Sequence, residues 1–93
     1  MSVVLAKSEH FQCRQNQRGI RDEVVALAIQ FGRCFREGDR KVFFLGRKQI
    51  PGQVRSQLRD KVNGTVVVMS NTGVLVSTYK NPDYIKALKK HMR

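Results

Sequence analysis

His10, Arg14 and Arg18 stand at intervals of four residues in the stretch Ser8-Glu9-His10-Phe11-Gln12-Cys13-Arg14-Gln15-Asn16-Gln17-Arg18-Gly19-Ile20. At about 100° per residue in a helix, this spacing gathers His10, Arg14, Gln17 and Arg18 on one face. An imidazole then stands beside one or two guanidinium groups. That combination suits cleavage of RNA by a metal-free route: a base takes the 2′-hydroxyl proton, an acid serves the leaving oxygen, and cations stabilise the charged phosphorane. A guanidinium fork binds two phosphate oxygens at once, and imidazole exchanges protons near neutrality as either base or acid. The same residues on a solvated helix face would serve as plain phosphate contacts, or the arginines would hydrogen-bond strand carbonyls.

The charge balance fits a polyanionic partner. Eighteen Lys plus Arg against seven Asp plus Glu give a formal charge of +11 in 93 residues. Self-repulsion on that scale is relieved by a nucleic acid or an acidic protein, and phosphate contacts release counterions irrespective of sequence. Further cations cluster at Lys41, Arg47 and Lys48, near Arg40, where a phosphate backbone could run. Tyr79 and Lys80 end the last apolar run, and a tyrosine there could stack on a base.

A chain of this length sustains one modest core, so a single domain over 1–93 is expected. A hydrophobic fraction of 41% argues against disorder. No stretch is apolar enough to span a bilayer, and residues 1–6 are too short for a signal-peptide core, which together point to a cytoplasmic, membrane-free protein. Cys13 and Cys34 are isolated thiols without a metal-binding spacing, so neither a disulfide, a metal nor any other cofactor is expected.

The elements that must position these residues follow from caps and periodicity. Ser8 is suited to cap a helix over 9–18, Gly19 to end it in a left-handed conformation, and Ile20 to fold back. Asp22 to Phe31 places Val24, Leu27, Ala28 and Phe31 on one face, the main core helix, with Gly32 as its stop. Residues 33–45 read as a hairpin about Gly38-Asp39, or else as a helix running on to Glu37. Pro51 suits a turn or a short helix through Val54, Leu58 and Val62. The runs 65–69 and 74–79 flank Ser70-Asn71-Thr72-Gly73 as a second hairpin, and 82–91 forms a short basic C-terminal helix. The expected fold class is α+β: two N-terminal helices packed on a small antiparallel sheet.

The motif His10-x-x-x-Arg14-x-x-Gln17-Arg18-Gly19-Ile20, followed by an apolar helix, Val42-Phe43-Phe44-Leu45-Gly46 and Gly73-Val74-Leu75-Val76-Ser77-Thr78-Tyr79, resembles a family of small bacterial proteins of unknown function. That family resembles, more distantly, the RelE-like toxin ribonucleases. The resemblance implies an RNA-facing sheet surface and carries over only His10, Arg14, Gln17 and Arg18, with Thr78-Tyr79-Lys80 as a match to the last strand. The chain departs from many ribonucleases in having no His or carboxylate on its last two strands. Tyr79 or a lysine would have to serve as second proton-transfer group, if there is one.

The function expected is therefore a toxin-type, metal-independent endoribonuclease that binds RNA. His10, Arg14 and Arg18 would be catalytic, and Gln17, Lys41, Arg47, Lys48, Tyr79 and Lys80 would bind substrate. An acidic antitoxin-like protein would neutralise it. The rivals are a non-catalytic nucleic-acid-binding module and a basic adaptor that docks an acidic protein.

Overall fold

Residues 6–54, 56–81 and 83 are described by a computed structural model. Its order is α1 (Glu9–Arg18), α2 (Asp22–Phe31), β1 (Arg33–Glu37), β2 (Arg40–Leu45), a 3-10 turn (Arg47–Gln49), α3 (Ser56–Val62), β3 (Thr65–Ser70) and β4 (Leu75–Lys80). The strands form one antiparallel sheet in the order β1-β2-β3-β4, so β1 and β4 are its edges. This is the α+β arrangement expected from the sequence, with α1 packed on β4 and α2 on β2 and β3. The expected helix over 82–91 lies outside the described residues, apart from Asp83.

Alternation along the strands gives the sheet two apolar faces. Leu45, Val67 and Leu75 turn toward the helices, where they meet Phe11, Ile20, Val25, Ala28, Ile50 and Val62. Val42, Phe44 and Val66 form a second cluster on the other face, flanked by Phe35, Val68 and Tyr79. Two buried threonines are satisfied locally: Thr65 Oγ1 donates to the Val62 carbonyl at 2.7 Å and Thr78 Oγ1 to the Val66 carbonyl at 2.9 Å. Among the described residues no buried side-chain nitrogen or oxygen lacks a partner, as burial of polar groups requires.

The start of α1 is stitched to the β4 edge. Lys7 forms a parallel bridge with Leu75, through Leu75 N–H to the Ala6 carbonyl at 2.8 Å and Ser8 N–H to the Leu75 carbonyl at 3.0 Å. Ser8 Oγ accepts from the Phe11 amide at 3.0 Å as the N-cap, and donates to the Val76 carbonyl at 3.2 Å. At the other end Gly19 adopts φ +63°, its amide reaches the Asn16 carbonyl at 3.3 Å, and the Ile20 amide reaches the Gln15 carbonyl at 3.0 Å. This paired bonding with a buried Ile20 behind it is the Schellman stop that Gly19-Ile20 foreshadows.

The second helix ends at Gly32 and β1 begins at once, so the alternative of a helix continuing to Glu37 does not occur. A β-carbon at Gly32 would lie 2.2 Å from the Ala28 carbonyl oxygen and 3.0 Å from that of Phe44, both main-chain atoms that cannot swing aside. Gly32→Ala is expected to lower stability by about 1–3 kcal/mol, the usual range for overpacking. Urea denaturation checks it: the midpoint should fall with an unchanged slope.

Of the two readings of Pro51, the turn is the one that occurs, and α3 begins only at Ser56. Residues 51–54 form a loop pinned by Arg59, whose guanidinium donates to the carbonyls of Pro51 at 3.0 Å and Val54 at 3.2 Å. Both hairpins occur where expected: Gly38-Asp39 joins β1 to β2 as a two-residue turn, and Glu37 pairs with Arg40 across it.

Candidate active site

α1 buries only a narrow stripe. Phe11 is fully buried, and Gln15, one turn on, is the other buried residue of the helix. Cys13 is exposed. Gln15 is satisfied rather than stranded: its Nε2 donates to Asp22 Oδ1 at 2.6 Å, and its Oε1 accepts from Lys7 Nζ at 3.2 Å. Lys7 closes the triangle onto Asp22 Oδ1 at 2.5 Å. The Lys7 and Gln15 hydrogen bonds, with the Lys7 charge, hold the Asp22 carboxyl below the ordinary value. Asp22 is largely exposed, so this network orients α1 against α2 more than it stabilises the fold.

His10, Arg14 and Arg18 form the stripe beside Phe11 and Gln15 on the helix surface. That stripe borders the β4 edge rather than the core. There they line one cavity of about 200 Å³ together with Ser77, Thr78 and Tyr79. His10 and Arg18 are exposed and Arg14 is half-buried. None of the three side chains makes a hydrogen bond or ion pair with a described residue. Two guanidinium groups therefore line the concavity with no carboxylate or main-chain carbonyl of the described residues bonded to them.

Ser77 and Tyr79 lie two residues apart on β4, so their side chains leave the same face of the sheet. Tyr79 packs beside Val66 in the second apolar cluster while it also lines the cavity. Burial of the ring, and secondarily the negative charge of Glu37, push its phenol above the ordinary tyrosine value of 10.0. The phenol is a neutral proton donor throughout the physiological range.

The remaining sequence candidates fall elsewhere. Gln17 is exposed and is not part of the cavity wall, because it sits on the far side of His10 from the buried stripe. Lys41, on β2, is aligned with Arg36 and Met69, two strands away from β4. Arg47 and Lys48 belong to the 3-10 turn beyond β2, with Arg47 Nη2 3.9 Å from Asp60 Oδ1. Lys80 follows Tyr79 but turns its ammonium to the Lys61 carbonyl. Ser77 is the cavity residue that sequence reasoning missed, although its i, i+2 relation to Tyr79 was available.

No protein-family model, curated protein or solved structure matches the chain. The chemistry of the cavity must be read from its own atoms. Its wall carries one imidazole, two guanidinium groups, a neutral phenol and the hydroxyl residues Ser77 and Thr78, a set that supplies proton transfer and anion binding together. Its volume is below the roughly 300–1,000 Å³ of whole-ligand pockets, which suits a phosphodiester group rather than an enclosed nucleotide. Among the described residues no cluster of three or more His, Cys, Asp or Glu side chains is placed to hold a metal ion, and no helix is long and apolar enough to cross a membrane.

Proposed function

We propose that the protein is a small RNA-binding endoribonuclease of the toxin type, acting without a metal, with its active centre in the cavity between α1 and β4. The observation that supports this best is the meeting of His10, Arg14, Arg18 and Tyr79 in one cavity, with both arginines free of partners among the described residues. Four residues from two elements far apart in sequence converge there, which a merely solvated helix face would not require.

The reaction uses the substrate's own nucleophile. His10 removes the proton from the 2′-hydroxyl as its oxygen attacks the adjacent phosphorus. The bond from phosphorus to the 5′-oxygen breaks, and Tyr79 supplies the proton that the departing oxygen needs. The products are a 2′,3′-cyclic phosphate and a free 5′-hydroxyl. Arg14 and Arg18 bind the non-bridging oxygens, whose negative charge grows in the phosphorane. Gln17, Lys41, Arg47 and Lys48 lie outside the cavity and would contribute to the positive field that attracts RNA. The resemblance to RelE-like ribonucleases and the net charge of +11 point the same way, and an acidic antitoxin-like partner in the cytoplasm is part of the reading.

The purified protein, incubated with a defined RNA in excess EDTA, is expected to give fragments ending in 2′,3′-cyclic phosphate. A 2′-deoxy residue at the cleaved position should block the cut. Intact RNA, with binding that weakens steeply with salt, would instead favour a non-catalytic module. Binding to an acidic protein alone would favour the adaptor.

Tyr79→Phe is expected to slow cleavage by about 10²-fold, the lower end for general acid catalysis, because water can enter an open cavity and substitute. A substrate with an aryloxide leaving group, which needs no proton, should lose much less. The phenol also links stability to pH. Its folded-state pKa is raised above the unfolded value of 10.0, so its contribution is complete below about pH 10 and is lost as pH rises through the raised value. Urea midpoints measured between pH 9 and 11 should therefore fall more steeply for wild type than for Tyr79→Phe.

A further inference from the structure

A second hollow, of about 320 Å³, opens where the α1–α2 junction meets the ends of α3 and β4, lined by Gly19, Ile20, Arg21, Val24, Lys61 and Lys80. Ile20 is buried and Val24 half-buried, so the apolar part of the lining is fixed by the core. Among the described residues every charged residue of the lining is cationic.

The carboxylates adjoining these cations in sequence are engaged elsewhere. Asp22, next to Arg21, accepts from Lys7 and Gln15. Asp60, next to Lys61, stands 3.9 Å from Arg47. The side chains of Arg21 and Lys61 make no hydrogen bond or ion pair with a described residue. The Lys80 ammonium donates to the Lys61 carbonyl, which fixes it against the α3 end and leaves its other two protons for a ligand. Three like charges held together repel one another, and an anion between them removes that cost.

Consecutive residues of the chain line the two cavities at two places. Arg18 lines the first and Gly19 the second; Tyr79 lines the first and Lys80 the second. Each pair is consecutive in the chain, about 3.8 Å between Cα atoms. A strand whose phosphodiester sits between His10 and Arg14 would reach the second hollow by passing the C-terminal end of α1, where Arg18 and Gly19 stand.

We propose that Arg21, Lys61 and Lys80 form a second phosphate subsite, which holds the phosphate neighbouring the scissile one and sets the register of the RNA. This rests on the first cavity being a phosphodiester site. It also gives the excess of positive charge a defined task at named residues, beyond a diffuse attraction.

The test uses the full chain and two RNAs carrying 2′-fluoro groups, which bind but cannot be cut: a hexanucleotide and a dinucleotide with a single phosphodiester. Arg21 and Lys61 are exposed, so the Arg21→Gln/Lys61→Gln double variant should keep the wild-type circular dichroism spectrum and melting temperature. Loss of two phosphate contacts should make the plot of log affinity against log salt shallower by about 1.4 for the hexanucleotide, at about 0.7 per contact on single strands. Its binding at low salt should weaken by about tenfold or more, and dinucleotide binding should stay within about twofold. An unchanged hexanucleotide slope and affinity would remove the subsite alone, as would equal weakening of both RNAs, which marks a general field. Failure of the wild type to bind either RNA would remove the reading of the first cavity and the subsite with it.

Discussion

His10→Ala is expected to reduce RNA cleavage by about 10³–10⁴-fold, toward the upper end for loss of a proton-transfer group. The side chain is exposed and bonds to no described residue, so its removal leaves no buried group unsatisfied. Folding should be unaffected, and the thermal midpoint should match wild type within error. RNA affinity should fall little, because the phosphate contacts of Arg14 and Arg18 remain. Single-turnover cleavage with saturating RNA separates the two: the rate should collapse while half-saturation barely moves. A parallel loss of affinity and rate would assign His10 to binding instead.

Arg14→Ala should be nearly as damaging, with a rate loss of about 10²–10³-fold, the range for removing one preorganised donor to a developing anion. Arg14 is the half-buried member of the pair, set deeper toward the β4 edge, whereas Arg18 is exposed at the end of the helix. Groups shielded from water act more strongly on charge, so Arg18→Ala is expected to cost less than Arg14→Ala. Arg14→Lys keeps the charge but loses the planar fork, and should recover affinity without recovering the rate. The comparison of Ala and Lys variants under single-turnover conditions distinguishes transition-state contact from general attraction. Full activity in Arg14→Lys would mean that charge alone is needed.

Much of this arrangement was legible from local rules. Ser8 as N-cap, Gly19-Ile20 as a Schellman stop, and the Gly38-Asp39 and Ser70-Gly73 turns each depend on a few neighbouring residues. The shared face of His10, Arg14 and Arg18 followed from helical spacing alone. What lies opposite that face did not, because it depends on how residues 6–8 pair with Leu75, a contact between distant parts of the chain. That bridge docks α1 along β4, so that the stripe lines a cavity with Ser77 and Tyr79. Gln15 illustrates the same limit. A glutamine in the middle of a polar helix reads as exposed, yet it is buried because Lys7 and Asp22 meet its amide from two sides. Gln17 shares the motif but not the cavity, since a rotation of about 60° from the Arg14 direction takes it past the rim.

NMR spectra of the His10 imidazole, the Arg14 and Arg18 side chains and the Tyr79 ring, recorded while a 2′-fluoro dinucleotide is added, test most directly whether the α1–β4 cavity receives a phosphodiester. The largest shifts should fall on these four side chains and saturate together at one dissociation constant. Shifts confined to Lys41, Arg47 and Lys48, with the four signals unmoved, would contradict the assignment of the cavity as the active centre.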